Sequence, residues 1–268
     1  MVEKNPRNDG EYLNSLARGL AVMRAFTREK PEMTLSELAV QTELSPAVVR
    51  RCLNTLQHLG YVGKRDKLFL LRPEVFRLGT AYTESMNLEE VGRSSLQRIR
   101  DKTNNSVALS VLSKHDVLFL VYVSTKQLTR IVAGVGTRFP AYATAAGRAI
   151  MAFEEKQKLD AYFNELKLEL LTERTVSSTK ALRQIFTSVR KNGFASTDGQ
   201  LDFGVVSVAV PIFNEDNHVI ASVSCSTASA RTPEQEMIET IVPDLRVAAK
   251  ETEFELRRTP MLSHSIMS

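Results

Sequence analysis

The sequence predicts an α+β protein in two parts: a winged helix-turn-helix, then a larger domain built on a central antiparallel sheet. Three observations carry that prediction. Residues 33–62 read as two short helices, a tight turn and the first strand of a small wing. All the excess positive charge lies in the first 72 residues. Beyond them, helix-like and strand-like segments mix without βαβ alternation. A length of 268 residues suits two domains, each with its own core.

Residues 1–10 are polar and read as a flexible lead-in to the winged helix-turn-helix domain over 11–72. A first helix is predicted over 12–28, with Leu13, Leu16, Leu20, Val22, Met23 and Phe26 as its buried face; Pro31 closes it. Leu35, Leu38 and Ala39 then form an apolar stripe at helical spacing. Glu43-Leu44 makes the turn, and Ser45-Pro46 is a helix start. A serine hydroxyl can cap an orphan N–H there, and proline fits the first helical position. Val49, Leu53 and Leu56 face inward, which leaves Arg50, Arg51, Asn54 and His58 facing out. Arginine reads guanine and asparagine reads adenine in the major groove, so this is the recognition helix. The wing pairs 61–62 with 67–71 and carries Lys64, Arg65 and Lys67 toward phosphates.

Charge supports the assignment. Residues 1–72 hold 12 Lys/Arg against 8 Asp/Glu, whereas the remainder holds 23 of each, so the net +4 belongs to the first domain. Such a cluster attracts DNA and makes binding salt-dependent. On its own, 64–67 also suits a solvated hairpin tip; beside the helix pair it reads as a wing.

Residues 73–86 form an amphipathic helix with Val75, Leu78 and Tyr82 at helical spacing. It serves as a connector and a dimer contact, because a helix-turn-helix usually reads two half-sites as a dimer. The second domain spans 87–257. Its predicted elements are a helix over 88–103, strands over 106–112 and 117–123 around a turn at 113–116, and a strand over 128–132 ending in Gly134-Val135-Gly136. Helices follow over 144–153, 155–164 and 179–193, strands over 194–198, 205–213 and 219–227, and a last helix over 233–256. The tail 258–268 lacks periodicity and is expected to be disordered.

Hydrophobic content of 43% and charged content of 25% are those of a soluble globular protein. No apolar run reaches the roughly 18 residues that span a bilayer. The polar first ten residues lack a signal core, so a cytoplasmic location without membrane contact is expected. Cys52 and Cys225 then read as reduced thiols.

Chemistry of the enzymatic kind is not evident. His58, His115, His218 and His264 lack metal-ligand spacing, and no nucleophile elbow or phosphate-binding glycine loop occurs. Glu251, Glu253 and Glu255 look like a solvated helix face. No enzyme, metal or cofactor is therefore expected. A small-molecule pocket is the better candidate. Thr144 caps a helix whose first residues, Ala145, Ala146 and Gly147, are small enough to let an anion reach the backbone amides. The same residues also suit a close helix–sheet contact. Ser222, Ser224 and Ser226 share one face of a strand, Ser207 can join them, and Asp198 could accept from a hydroxylated ligand.

Together these features identify a resemblance. Leu16-Ala17-Arg18-Gly19-Leu20, the helix-turn-helix over 34–62, residues 140–149, and residues 204–213 with the serine-rich strand after them resemble IclR-type transcriptional regulators over nearly the full length. Residues 31–36 and 59–62 are most similar to the subgroup that controls aromatic-acid catabolism, including protocatechuate, para-hydroxybenzoate and β-ketoadipate degradation. The resemblance implies a winged helix-turn-helix, a linker helix and a GAF-like effector domain. It also implies a dimer or dimer of dimers on double-stranded operator DNA, with RNA polymerase a candidate partner. DNA contacts would fall on Ser45, Arg50, Arg51, Asn54, His58, Lys64, Arg65 and Lys67. Effector contacts would fall on Ala145, Ala146, Asp198, Ser207, Ser224 and Ser226; Tyr142 stands where many relatives have histidine, and with Phe139, Val206 and Val208 it reads as a pocket wall. The effector is expected to be a small carboxylate, an aromatic acid or its ring-cleavage product. The alternatives are a short-chain keto acid, a site without ligand, or a sensor or enzyme that does not bind DNA.

Overall fold

The computed structural model describes residues 12–85, 91–125 and 133–266, and the chain divides into two compact units between Tyr82 and Thr83. The first contains α1 (Asn14–Arg24), β1 (Glu32–Thr34), α2 (Leu35–Thr42), α3 (Pro46–His58), β2 (Val62–Arg65) and β3 (Leu68–Leu71). Its core gathers Val22, Met33, Leu38, Val49, Leu53, Leu56, Val62 and Phe69. Val49, Leu53 and Leu56 meet it because residues three and four apart share a helix face.

Three details depart from expectation. Leu13 and Leu16 are not buried: they are 65% and 60% exposed, because only the second half of α1 reaches the core through Val22. The wing has a third strand, β1, whose Met33 pairs with Phe69 and is buried; three residues are too few to show a period. Ser45 caps α3 through its backbone rather than its hydroxyl. Its carbonyl already accepts the Val48 N–H, the donor a capping hydroxyl would take.

At α2 the cap is complete. The Glu37 amide donates to the Thr34 hydroxyl, and the Thr34 amide donates to the Glu37 carboxylate at 2.8 Å. The same contacts hold the Glu37 carboxyl below its usual range. Thr34→Ala is expected to destabilise the first unit by roughly 0.5–2 kcal/mol, read as a lower denaturation midpoint at unchanged slope. A helical turn at Pro73–Val75 leads into α4 (Phe76–Ser85), where Phe76 and Leu78 are exposed.

The second unit contains α5 (Arg93–Thr103), β4 (Ser106–Ser113), β5 (Asp116–Val123), β6 (Arg138–Pro140), α6 (Ala145–Met151), α7 (Lys156–Glu165), α8 (Thr179–Asn192), β7 (Ala195–Asp198), β8 (Val205–Phe213), β9 (Val219–Ala228), α9 (Glu234–Thr240), α10 (Val242–Arg257) and α11 (Pro260–Ile266). The strands form one antiparallel sheet in the order β6-β5-β4-β9-β8-β7. Alternation along β8 sends Ser207 and Ala209 to one face and Val206, Val208 and Val210 to the other. Ala209 joins a core shared with α6, α7 and α8.

The helix predicted over 88–103 begins only at Arg93, and residues 86–90 lie outside the described ones, as does the predicted strand 128–132. The predicted last helix is two helices, with Pro243 in the first turn of α10, where its missing N–H costs nothing. The tail, expected to be disordered, is helical over Pro260–Ile266 and buries Leu262; seven residues do not establish a period. The three glutamates of α10 are not a solvated row. Glu251 accepts from Ser95 and Arg98, Glu253 is buried and accepts from the Phe213 amide, and Glu255 accepts from the Gly92 amide at 2.6 Å. Among the described residues, no helix is long and apolar enough to cross a membrane.

Candidate functional site

In the first unit, the residues assigned to DNA lie on the side of α3 opposite its buried row. Arg50, Arg51, Asn54 and His58 are exposed, as is Ser45 before them. No described acid forms an ion pair with Arg50 or Arg51, so both guanidinium groups are available for base edges or phosphates. On the wing, Lys67 is exposed beside Asp66, whose φ of 56° makes the hairpin turn. Lys64 lies 5.7 Å from the Phe69 ring centroid. Arg65 is occupied by Glu32 at 3.0 Å, but an exposed pair of this kind is weak enough to yield to a phosphate.

In the second unit, a cavity opens between the sheet and the start of α6. It holds about 690 Å³ of space free of atoms, part of it continuous with solvent. One wall is aromatic, with Phe119, Tyr122 and Phe139. Phe119 and Tyr122 stack at 5.8 Å, and Phe139 meets Phe119 edge-on at 5.6 Å. On the same sheet face, beyond β4, lie hydroxyls from Thr197, Ser207, Ser224 and Ser226. Ser207 and Ser226 bond each other at 2.8 Å and keep one hydroxyl hydrogen between them for a further acceptor. The third side is Ala143, Thr144, Ala145 and Ala146. The Thr144 hydroxyl accepts from the Gly147 amide at 3.0 Å, and no described residue accepts from the amides of Ala145 and Ala146.

The structure therefore gathers Ala145, Ala146, Ser207, Ser224, Ser226 and Phe139 around one space, and places the other expected residues elsewhere. The Tyr142 hydroxyl is tied to the backbone of Glu169, donating to its carbonyl at 2.9 Å. Burial pushes that phenol above its usual range. Asp198 pairs with Arg174 and does not line the cavity, although its Oδ1 is buried without a partner. Val206 and Val208 point to the opposite face of β8; Val205 lines the cavity instead. Ser222, on the same face as Ser224, is fully buried beyond the cavity with its hydroxyl unpartnered.

The aromatic wall escaped the sequence because of a bulge. Between β4 and β5 the register skips Leu120, so that Val121 faces Leu109 and Phe119 faces Ser110. Phe119 and Tyr122, three apart, then share a face that strict alternation would deny them. Gly147 is small for a packing reason: a Cβ there would lie 2.3 Å from the Ala141 carbonyl oxygen. Behind the cavity sits Arg148, only 3% exposed, whose neutral partners are the Tyr142 carbonyl and the Gln200 side chain. Burial lowers its pKa to about 10, so it remains a cation at neutral pH. Among the described residues, no cluster of His, Cys, Asp and Glu could hold a metal ion.

Comparison with known proteins places both units. Residues 15–66 match the model of the IclR helix-turn-helix domain, and residues 80–253 match that of the bacterial transcriptional regulator IclR C-terminal domain. The Pca regulon regulatory protein of Pseudomonas putida is 33% identical over 91% of this chain and 84% of its own length. A transcriptional regulator from Rhodococcus sp. RHA1 is 36% identical, with a TM-score of 0.79 over 92% of this chain and 99% of that one. An IclR homolog from Microbacterium hydrocarbonoxydans, solved with 4-hydroxybenzoate, shares the fold at 23% identity, with a TM-score of 0.75 over 91% and 99% of the two chains.

Proposed function

The chain belongs to the IclR family of bacterial transcriptional regulators, and on that premise we propose that it binds promoter DNA through α3 and its wing and responds to a small aromatic acid in the cavity of the second unit. The observation that carries the ligand assignment is the cavity's division into a stacked aromatic wall and a hydroxyl wall. Phe119, Tyr122 and Phe139 suit a flat ring, which gains from offset or edge contacts with them. A carboxylate fits the amides of Ala145 and Ala146, and a ring hydroxyl fits Ser207, Ser224 and Ser226. The names of the relatives agree with this reading: one is the Pca regulon regulatory protein, another was solved with 4-hydroxybenzoate.

On the DNA side, Arg50, Arg51, Asn54 and His58 read bases, while Ser45, Lys64, Arg65 and Lys67 contact the backbone. Two copies read two half-sites, and exposed Phe76 and Leu78 favour a contact on α4, near Tyr82. Sedimentation at micromolar concentration checks this, and a monomer alone contradicts it.

Thermal shift of the full chain with 4-hydroxybenzoate, protocatechuate, β-ketoadipate and pyruvate tests the ligand assignment. The aromatic acids are expected to stabilise it, by about 2.7 kcal/mol at a hundredfold excess over Kd. Ala146 is buried against the cavity, so Ala146→Leu fills it and removes the shift while operator binding persists. A shift with pyruvate alone moves the assignment to keto acids; none with any acid refutes it.

A further inference from the structure

Two walls of the cavity are joined by one side chain. Between β7 and β8, residues 199–204 form a loop that brings Leu201 to the cavity. Gln200, one residue before it, turns its Oε1 the other way. That oxygen accepts from Arg148 Nη2 at 2.7 Å and from the Val176 amide at 3.0 Å. Arg148 is the fourth residue of α6, whose first two residues line the cavity. Its Nε donates to the Tyr142 carbonyl at 2.7 Å, which fixes the segment carrying Ala143 and Thr144. The same loop is held from a third side: the Thr172 hydroxyl donates to the Gly199 carbonyl at 2.6 Å and the Thr175 hydroxyl to the Gln200 carbonyl at 2.7 Å.

The Gln200–Arg148 bond ties this loop to α6 by a polar contact, beside the packing of Leu201 against the core that α6 shares. It is also costly to lose, because Arg148 is a buried cation whose hydrogen-bond acceptors among the described residues are neutral oxygens. Without Gln200 one face of the guanidinium has no acceptor, and a buried charged donor left unmet is expensive. The arginine must then shift toward solvent and take its hold on Tyr142 with it.

We propose that Gln200 is a positioning residue for the effector: through Arg148 it locks the Leu201 loop and the start of α6 into one rigid frame, so that the cavity's two walls keep their spacing. The effector part rests on the reading of the cavity given above; the coupling of the two segments does not. Gln200 touches no ligand in this scheme. It sets affinity through preorganisation, because a frame that is already ordered loses less freedom on binding.

Both contacts use the carbonyl oxygen of the amide, and a carboxylate supplies the same acceptor. Gln200→Glu is therefore the conservative variant and Gln200→Ala the disruptive one. The experiment measures hydrogen–deuterium exchange of the full chain without ligand, and 4-hydroxybenzoate binding by calorimetry, for wild type and both variants. Gln200→Ala is expected to speed exchange in 199–205 and also in 143–149, to weaken binding about tenfold, and to leave operator binding unchanged. Gln200→Glu is expected to restore both readouts. Faster exchange confined to 199–205, or binding as tight as wild type in the alanine variant, overturns the proposal. If exchange rises in both segments but wild type binds no 4-hydroxybenzoate or protocatechuate, the coupling stands and the effector reading falls.

Discussion

Gly147→Ala is expected to destabilise the second unit by roughly 3 kcal/mol or more, at the upper end of what overpacking costs. An added Cβ would lie 2.3, 2.4 and 2.6 Å from the carbonyl oxygen, Cα and carbonyl carbon of Ala141. These are backbone atoms of the turn at Ala141–Ala143, so no side chain can rotate away. Relief requires moving that turn off α6. Helix propensity acts the other way, favouring alanine by about 1 kcal/mol, and the steric term exceeds it. The displaced turn carries Ala143 and Thr144, so ligand stabilisation should vanish as well. Gly19 supplies the control. It lies inside α1, and a methyl group added there would meet nothing within 4 Å, so Gly19→Ala should be neutral or stabilising by up to about 1 kcal/mol. Urea unfolding of the three proteins decides the matter; equal midpoints for wild type and Gly147→Ala would remove the close-contact explanation for this glycine.

That glycine also illustrates what the sequence could and could not express. A run of small residues after Thr144 fits either an anion site or tight packing, and the structure divides the run between two settings. Ala145 and Ala146 face the cavity; Gly147 faces backbone. One-dimensional spacing cannot divide them, because the partner of Gly147 is a turn whose path is set by tertiary contacts. The helix-turn-helix was legible because Val49, Leu53 and Leu56 repeat over about two turns of one helix. The serine face of β9 was legible for the same reason at period two. Phe119 and Tyr122 were hidden by a bulge. Val206 and Val208 read as pocket walls by their apolar character, although the parity of β8 sends them to the opposite face. Family resemblance draws Asp198 toward the ligand and aromatic character draws Tyr142, whereas here Arg174 and Glu169 engage them. Short elements, β1, β6 and α11, fall below the length at which any period can be counted.

Arg51→Ala is expected to cost roughly 1–3 kcal/mol of operator binding if its guanidinium pairs with one guanine, and to relax preference at that base pair alone. The geometry favours such a contact. Arg51 is exposed on the outer face of α3, in the half of the helix nearer its N-terminus, the part of a recognition helix that meets base edges. No described acid holds it away from DNA. Lys67, exposed on the wing, makes the informative contrast. A phosphate contact carries no sequence information, so Lys67→Ala should weaken binding to operator and to unrelated DNA alike. It should also reduce the slope of log affinity against log salt by about 1. Mobility shifts of both variants on the chain's own upstream DNA, on single-base variants of the site and on unrelated DNA, at several salt concentrations, separate the roles. A uniform loss for Arg51→Ala across all sequences would reassign that residue to the phosphate backbone and leave base reading to Arg50 and Asn54.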